Sequence, residues 1–169
     1  MDDAKFAAFL EIARALNRRG ITPLLCGSLG LEVVTGRGWK PQDIDLFVPG
    51  DPRGWGAPEE EMIHQWEEIV DLMATLGYRL IDLHEHEFAT DEGLHVQFGD
   101  LDTLPEFAGI AVNSVRRHPD PRADYCLLTM EQYLALYSAS LLDGYRDDGS
   151  GHKDEPKIAY LREVISRAQ

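Results

Sequence analysis

The stretch Cys26-Gly27-Ser28-Leu29-Gly30, followed after a spacer by Asp43-Ile44-Asp45-Leu46-Phe47-Val48, decides the fold of this chain. The first segment ends a short apolar run, as a buried strand does, and then begins a helix. Asp43 and Asp45 are two residues apart in an apolar strand, so their side chains project from the same face. Two adjacent carboxylates repel each other unless a cation lies between them. The pattern therefore predicts a cation site beside the start of a helix.

The two halves of this pattern are suited to a metal ion and to a phosphate group. Asp43 and Asp45 are candidate ligands of Mg²⁺, which proteins hold through one or two carboxylates together with substrate phosphates. Gly27 and Ser28 are candidate phosphate-binding residues, because the N-terminus of a helix offers free backbone N–H groups and the positive end of its dipole. A purely structural interpretation makes Asp43 a turn cap, Asp45 an ion-pair partner and Ser28 an N-cap.

The arrangement resembles the signature of the nucleotidyltransferase superfamily, which has the DNA polymerase β-like fold. That signature is a hydrophobic residue with Gly-Gly or Gly-Ser, a spacer, and then Asp, a hydrophobic residue and Asp or Glu. The matching segments here are Cys26-Gly27-Ser28 and Asp43-Ile44-Asp45-Leu46. A looser likeness to small bacterial antibiotic and toxin-type members extends to His152-Lys153-Asp154, before the last helix.

The resemblance implies an enzyme that moves a nucleoside monophosphate from a nucleoside triphosphate to a hydroxyl of a small-molecule acceptor. Asp43 and Asp45 are then catalytic residues that hold Mg²⁺. Arg37, Lys40 and Lys153 are the basic residues available to meet the triphosphate. The sequence identifies neither the acceptor nor the preferred nucleotide, and it indicates no protein partner.

The third carboxylate that active superfamily members usually carry is harder to place. In the segment 94–100 the hydrophobic register puts Gln97 where that acid is expected, and an amide cannot act as a base. Asp100 is our candidate for the third catalytic carboxylate, with Asp102 as the alternative, if the strand bends at Gly99. Otherwise the protein is catalytically degenerate and acts as a binding or regulatory module.

Three histidines offer a second, separate hypothesis. His84 and His86 alternate along a predicted strand, and His95 lies on the partner of a predicted hairpin. Three histidines on one face would suit Zn²⁺. The interleaved acids Glu85 and Glu87 are equally typical of the exposed end of a hairpin.

Composition limits the classes of partner. The chain has 169 residues, 16 Lys and Arg against 30 Asp and Glu, and a formal net charge of −14. Nucleic-acid binding depends on cationic side chains, so a nucleic-acid substrate is disfavoured and a small acceptor favoured. No apolar run approaches the roughly 20 residues that span a bilayer. The acidic N-terminus and two cysteines, expected to be reduced, favour a cytoplasmic protein.

The predicted architecture is α/β (α+β), a small mixed sheet flanked by helices, with C-terminal helices closing a cleft. We expect a single nucleotidyltransferase-like domain over residues 1–169, with a core at about 4–128 and a helical part at about 129–169. A mobile loop is expected at 144–151. Hydrophobic periodicity and turn residues predict helices at 4–19, 29–35, 59–76, 129–142 and 157–167, and strands at 21–26, 43–48, 78–88, 94–101, 110–115 and 125–128.

Overall fold

The computed structural model describes residues 3–147 and 153–169 of the chain. Seven strands form one sheet in the order β3-β4-β5-β2-β1-β7-β6. The β2–β5 and β1–β7 pairs are parallel and the other four are antiparallel. The strands are β1 Leu24–Cys26, β2 Ile44–Val48, β3 Arg79–Asp82, β4 Glu87–Ala89, β5 His95–Asp100, β6 Arg116–His118 and β7 Tyr125–Leu127.

Six α-helices accompany the sheet within the described residues. They are α1 Asp3–Asn17, α2 Gly27–Thr35, α3 Trp66–Thr75, α4 Leu104–Ala108, α5 Met130–Asp147 and α6 Glu155–Ala168. Short 3₁₀ turns lie at Gly54–Gly56, Leu101–Thr103 and Val112–Ser114. The predicted mixed sheet with flanking helices is confirmed.

Two clusters of buried apolar side chains hold helices onto the sheet. The first joins α1 and α3 to the sheet residues Ile44, Leu46 and Phe98. The second joins α4, α5 and α6 to Leu24 and Cys26 of β1. Because β2 and β5 alternate buried with half-buried residues, the half-buried positions make the other face of these strands available for a site.

Several local predictions were right. The capping box before α5 is confirmed, since the Gln132 backbone N–H donates to the Thr129 hydroxyl oxygen at 3.1 Å and the Gln132 side-chain oxygen accepts from the Thr129 N–H at 3.0 Å. The two C-terminal helices run somewhat longer than predicted. Part of the predicted loop 144–151 belongs to α5, and residues 148–151 lie outside the described residues.

Three predicted elements were wrong. The predicted strand 78–88 is a hairpin, β3 and β4, because the chain turns back over residues 83–86, where His86 has a φ of 52° and its N–H donates to the Leu83 carbonyl. The predicted strand 110–115 contains a 3₁₀ turn, and the strand follows it. The predicted helix 59–76 starts only at Trp66, because Gln65 has a φ of 58°.

Within the described residues, none of the helices combines the length and the apolar character needed to cross a membrane.

Candidate active site

A cavity of about 620 Å³ lies between the sheet and the C-terminal helices. Its walls come from the β1–α2 junction, the segment leading into β2, the middle of β5, and the facing parts of α5 and α6. The volume is within the range of pockets that bind small ligands. The residues lining it that bear on its chemistry are Cys26, Gly27, Ser28, Trp39, Lys40, Asp43, Asp45, Gln97, Tyr137, Lys153, Asp154 and Lys157.

Asp45 lines the cavity from β2, the central strand of the sheet. It is opposite Cys26 of β1 on one side and opposite Gln97 of β5 on the other. Its carboxylate lies directly against Gly27, where a Cβ would overlap it. Gly27 also has a φ of 64°, which side-chain-bearing residues rarely adopt. Glycine at position 27 is therefore required twice, by the backbone turn and by the carboxylate.

The electrostatics of this pair of aspartates favour a bound cation. Burial, followed by the charge of Asp43, raises the pKa of Asp45 to about 6, while Lys153 and Lys157 act in the opposite direction. A divalent cation between Asp43 and Asp45 would offset both the cost of burying the Asp45 charge and its repulsion from Asp43. The donors are carboxylate oxygens, which suit Mg²⁺.

The described residues contain no group of three or more His, Cys, Asp and Glu side chains arranged to hold a metal ion. Asp43 and Asp45 therefore fit a metal that completes its shell with water and substrate oxygens, as Mg²⁺ does beside phosphates. The residues present are compatible with Mg²⁺ in that mode.

The N-terminus of α2 opens into the same cavity. Cys26 occupies the N-cap position in an extended conformation, and no side chain caps the helix by a hydrogen bond. Gly27 and Ser28 are half-buried residues of the first turn and both line the cavity. Free N–H groups at this end of a nine-residue helix are suited to an anionic group.

The predicted basic residues separate into two groups. Lys40 and Lys153 line the cavity. Arg37 is not among the lining residues; its guanidinium lies over the rings of Trp39 and Tyr160, at 4.4 and 4.7 Å from their centroids. The structure therefore places Arg37 at the rim, behind Trp39, rather than on the cavity wall.

Two lining residues were missed by the sequence analysis. Lys157 follows Lys153 by four residues, and its side chain is only 12% exposed beside Asp154, at 3.6 Å. Burial lowers the pKa of Lys157. Tyr137 of α5 is 6% exposed, and its hydroxyl has no hydrogen-bond partner within the described part of the chain. The i, i+4 spacing of the lysines was the available signal for Lys157, whereas nothing in the sequence marked Tyr137.

The candidate third carboxylates are not brought to the cavity. Asp100 is three residues after Gln97 on β5, so the two side chains project from opposite faces of the sheet. Asp100 is 1% exposed, and its Oδ1 accepts from the Asp102 N–H at 2.8 Å. Asp102 in turn accepts from the Gly50 N–H at 3.3 Å. The expected bend at Gly99 does not occur, because β5 continues through Asp100 in register with β2.

The histidine hypothesis is contradicted. His84 and His86 lie in the turn between β3 and β4 rather than on one strand. His84 pairs with Glu59 at 2.7 Å, and the buried His86 ring packs on Trp66. His95 lies instead beside Glu87 on the sheet. Because no set of three potential ligands occurs among the described residues, the zinc site is not supported.

Comparisons with known proteins place these observations in context. The chain is 40% identical over 159 residues to the uncharacterized protein YnaI of Bacillus subtilis (strain 168), a match that covers 93% of this chain and 95% of that protein. No protein-family model matches the chain.

Solved structures share the fold at low sequence identity. An antigenic nucleotidyltransferase-like protein from Paracoccidioides brasiliensis has a TM-score of 0.58 and 13% identity, covering 94% of this chain and 75% of that one. The antibiotic-resistance factor ANT(2'')-Ia has a TM-score of 0.54 and 15% identity, covering 99% of this chain and 96% of that one. These similarities show a nucleotidyltransferase fold.

Proposed function

The chain belongs to the family of the Bacillus subtilis protein YnaI and has a nucleotidyltransferase fold, and from its cavity we propose that it is a Mg²⁺-dependent nucleotidyltransferase. It would transfer a nucleoside monophosphate from a nucleoside triphosphate to a hydroxyl of a small molecule. The observation that carries the proposal is the contact of the Asp45 carboxylate with Gly27, at the uncapped start of α2. This contact supports the proposal because it brings a carboxylate oxygen suited to a metal ion close to a helix end suited to an anion.

Each part of the cavity has a role in this proposal. Asp43 and Asp45 hold the metal ion, and the N–H groups of Gly27 and Ser28 bind phosphate oxygens. Lys153 and Lys157, on the opposite wall, balance the remaining charge of the triphosphate. When bound, Mg²⁺ neutralises phosphate charge and stabilises the attacking and leaving oxygens of the displacement.

A small acceptor agrees with the size and charge of the molecule. The cavity of about 620 Å³ has the size of pockets that bind small ligands. The net charge of −14 disfavours a polyanionic acceptor. ANT(2'')-Ia, which shares the fold, is described as an antibiotic-resistance factor, and this supports a small-molecule acceptor here.

Thermal unfolding with each of the four nucleoside triphosphates, with and without Mg²⁺, tests the binding step. We expect a rise in the unfolding midpoint that needs both components, because a ligand that binds only the native state stabilises it by mass action. Asp45→Asn should remove the rise. Asp102→Asn, an acid outside the cavity, is the control and should retain it. An equal rise in the Asp45 variant would contradict the metal assignment.

Gln97 favours one alternative function, a regulatory module without catalytic activity. It occupies the strand position directly beside Asp45, where the superfamily resemblance leads us to expect an acid. A protein without that acid could bind the nucleotide and metal as a regulatory module and transfer nothing. Release of pyrophosphate by the wild type distinguishes the two functions, since the module would show the thermal shift without it.

A further inference from the structure

A glutamate and a histidine lie on the face of the sheet that carries Asp45, beyond Gln97 and just outside the residues that line the cavity. Asp45 of β2 is opposite Gln97 of β5, and Gln97 is opposite Glu87 of β4. Residues directly opposite one another in neighbouring strands project from the same face. Asp45, Gln97 and Glu87 therefore form one row across three strands.

His95 belongs to the adjacent row on the same face. It lies two residues before Gln97 on β5, so their side chains project together. The parallel pairing begins with Ile44 opposite Val96, and the residues just before these are Asp43 and His95. Asp43 is an exposed bend residue just before β2, so the position of His95 is set by its own strand, two residues from Gln97 along the same face.

Glu87 and His95 contact each other across the β4–β5 pair. Glu87 Oε1 is 3.3 Å from His95 Nδ1, and the side chains are 25% and 38% exposed. The charge of Glu87 also contributes to the raised pKa of Asp45, in agreement with their position in one row. Gln97, between them, donates from its amide to Glu85 at 2.9 Å. The pair is thus partly buried, and it shares a sheet face with Asp45 and with Gln97, which lines the cavity.

We propose that His95, oriented by Glu87, accepts the proton of the attacking hydroxyl in the place of the missing third carboxylate. This inference rests on the proposed function. In the tautomer whose Nδ1–H donates to Glu87, the Nε2 atom is free to act as a base. A nucleophile, a base and a group that orients the base are the components that hydroxyl activation requires.

In this step one bond to the α-phosphorus forms, another breaks, and one proton moves to His95. The acceptor oxygen forms a bond to the α-phosphorus as its proton passes to Nε2 of His95. The bond between the α-phosphorus and the bridging oxygen breaks, and its electron pair leaves with pyrophosphate. The positive charge that the ring gains in this step lies beside the Glu87 carboxylate, 3.3 Å from Nδ1.

The test is pyrophosphate release, measured with the triphosphate that stabilises the wild type, Mg²⁺, and glycerol, ribose and glucosamine as hydroxyl acceptors. His95→Gln should lower the rate about 10²–10⁴-fold, the usual contribution of a general base. The thermal shift with nucleotide and Mg²⁺ should remain. Added imidazole should restore part of the rate in His95→Ala, because His95 is accessible from solvent. His95→Asn serves if the Gln variant fails to fold.

Glu87 is a positioning residue, and its variant should behave differently. Glu87→Gln should lower kcat at least about 10-fold and leave the KM for the nucleotide unchanged, since the base loses its orienting charge. His84→Gln and Glu59→Gln are matched controls, because this exposed pair makes a similar contact of 2.7 Å in the neighbouring turn. Both controls should keep the wild-type rate.

The outcomes separate this inference from the proposed function. A wild-type rate in His95→Gln, while the wild type and the controls release pyrophosphate, overturns the role of His95 alone. Loss of the thermal shift together with the rate in His95→Gln also overturns it, since His95 would then serve binding. No pyrophosphate release by the wild type with any acceptor would overturn the transfer activity, and the role of His95 with it.

Discussion

Asp45 and Asp100 are two carboxylates removed from water on opposite faces of the same pair of parallel strands. Burial raises the pKa of each to about 6. Asp45 has a second acid, two lysines and a helix N-terminus around an open cavity. Asp100 caps the 3₁₀ turn at Leu101–Thr103, and its Oδ2 has no hydrogen-bond partner within the described residues. A raised pKa alone therefore does not identify a functional acid, whereas its surroundings do.

The glycines beside the two acids extend the comparison. A Cβ on Gly27 would overlap the Asp45 carboxylate, and a Cβ on Gly50 would overlap both the Asp100 carboxylate and the Met62 carbonyl oxygen. In each case the chain leaves room for an acid by omitting a side chain. Around Asp45 that room is continuous with the cavity, while around Asp100 it is closed by backbone.

The largest expected difference concerns nucleotide binding by Asp45→Asn and Asp100→Asn. The first should weaken Mg²⁺-dependent nucleotide affinity about 100-fold or more, because it removes a metal ligand. Its unliganded stability should stay equal or rise by up to ~2 kcal/mol, since the cost of burying the Asp45 charge and the repulsion from Asp43 are both removed. Asp100→Asn should keep wild-type affinity. Calorimetric titration measures both, and a loss of affinity in the Asp100 variant would break the distinction.

The variants of Gly27 and Gly50 should differ in nucleotide binding as the two aspartate variants do, with smaller effects. Gly27→Ala and Gly50→Ala should each destabilise the protein by about 1–3 kcal/mol, from steric overlap and, at Gly27, from its positive φ. Only Gly27→Ala should also lose nucleotide binding. Urea unfolding and calorimetric titration of the two variants test this. Equal losses of affinity would show that Gly27 acts through stability alone.

Variants of Lys153 and Lys157 test whether nucleotide affinity depends on the basic residues that line the cavity. Lys153→Met and Lys157→Met should each lower nucleotide affinity about 10-fold, the loss of one charge-assisted hydrogen bond. Arg162→Met, on an exposed position of α6, is the control and should have little effect. Lys157→Met should in addition be less stable, because it leaves the buried Asp154 carboxylate without its partner. A similar loss of affinity in the Arg162 variant would indicate a non-specific charge effect.

The smallest expected effect concerns how the free energy of unfolding of the unliganded protein depends on pH. Asp45 and Asp100 have folded pKa values of about 6 and unfolded values near 3.8, so the folded state binds more protons between these pH values. Their contribution to stability therefore falls as the pH rises from about 4 to 6. Asp100→Asn should flatten the fall by ~1–2 kcal/mol. Urea unfolding at about pH 4.5 and about pH 6.5 measures this fall, and an unchanged fall in the variant would contradict an ionising Asp100.

The sequence was sufficient to predict the residues at the centre of the site, but not all of the residues around them. Gly27, Ser28, Asp43 and Asp45 meet in the cavity because each lies within one strand–helix–strand unit whose periodicity is local. Lys157 and Tyr137 reach it because α5 and α6 pack on β1, which lies far earlier in the chain.

The failures have equally specific causes. The β3–β4 turn contains neither glycine nor proline, and its alternating His and Glu residues imitate a strand. Asp100 was expected in the cavity because Gly99 permits a bend. Instead Gly99 stays in the strand, where the absence of a side chain admits the Phe47 ring. The offset of three residues from Gln97 then places Asp100 on the far face.

The stacking of Trp39 gives the cavity its own optical signal. Trp39 lines the cavity wall, with the Arg37 guanidinium over its ring and Tyr160 of α6 at its edge. The chain has two other tryptophans: Trp66 is buried among aromatic side chains, and Trp55 is 61% exposed beside Phe107. Neither lines this cavity. Occupation of the cavity should therefore change the fluorescence of one tryptophan, and ligands can be screened by emission without a label.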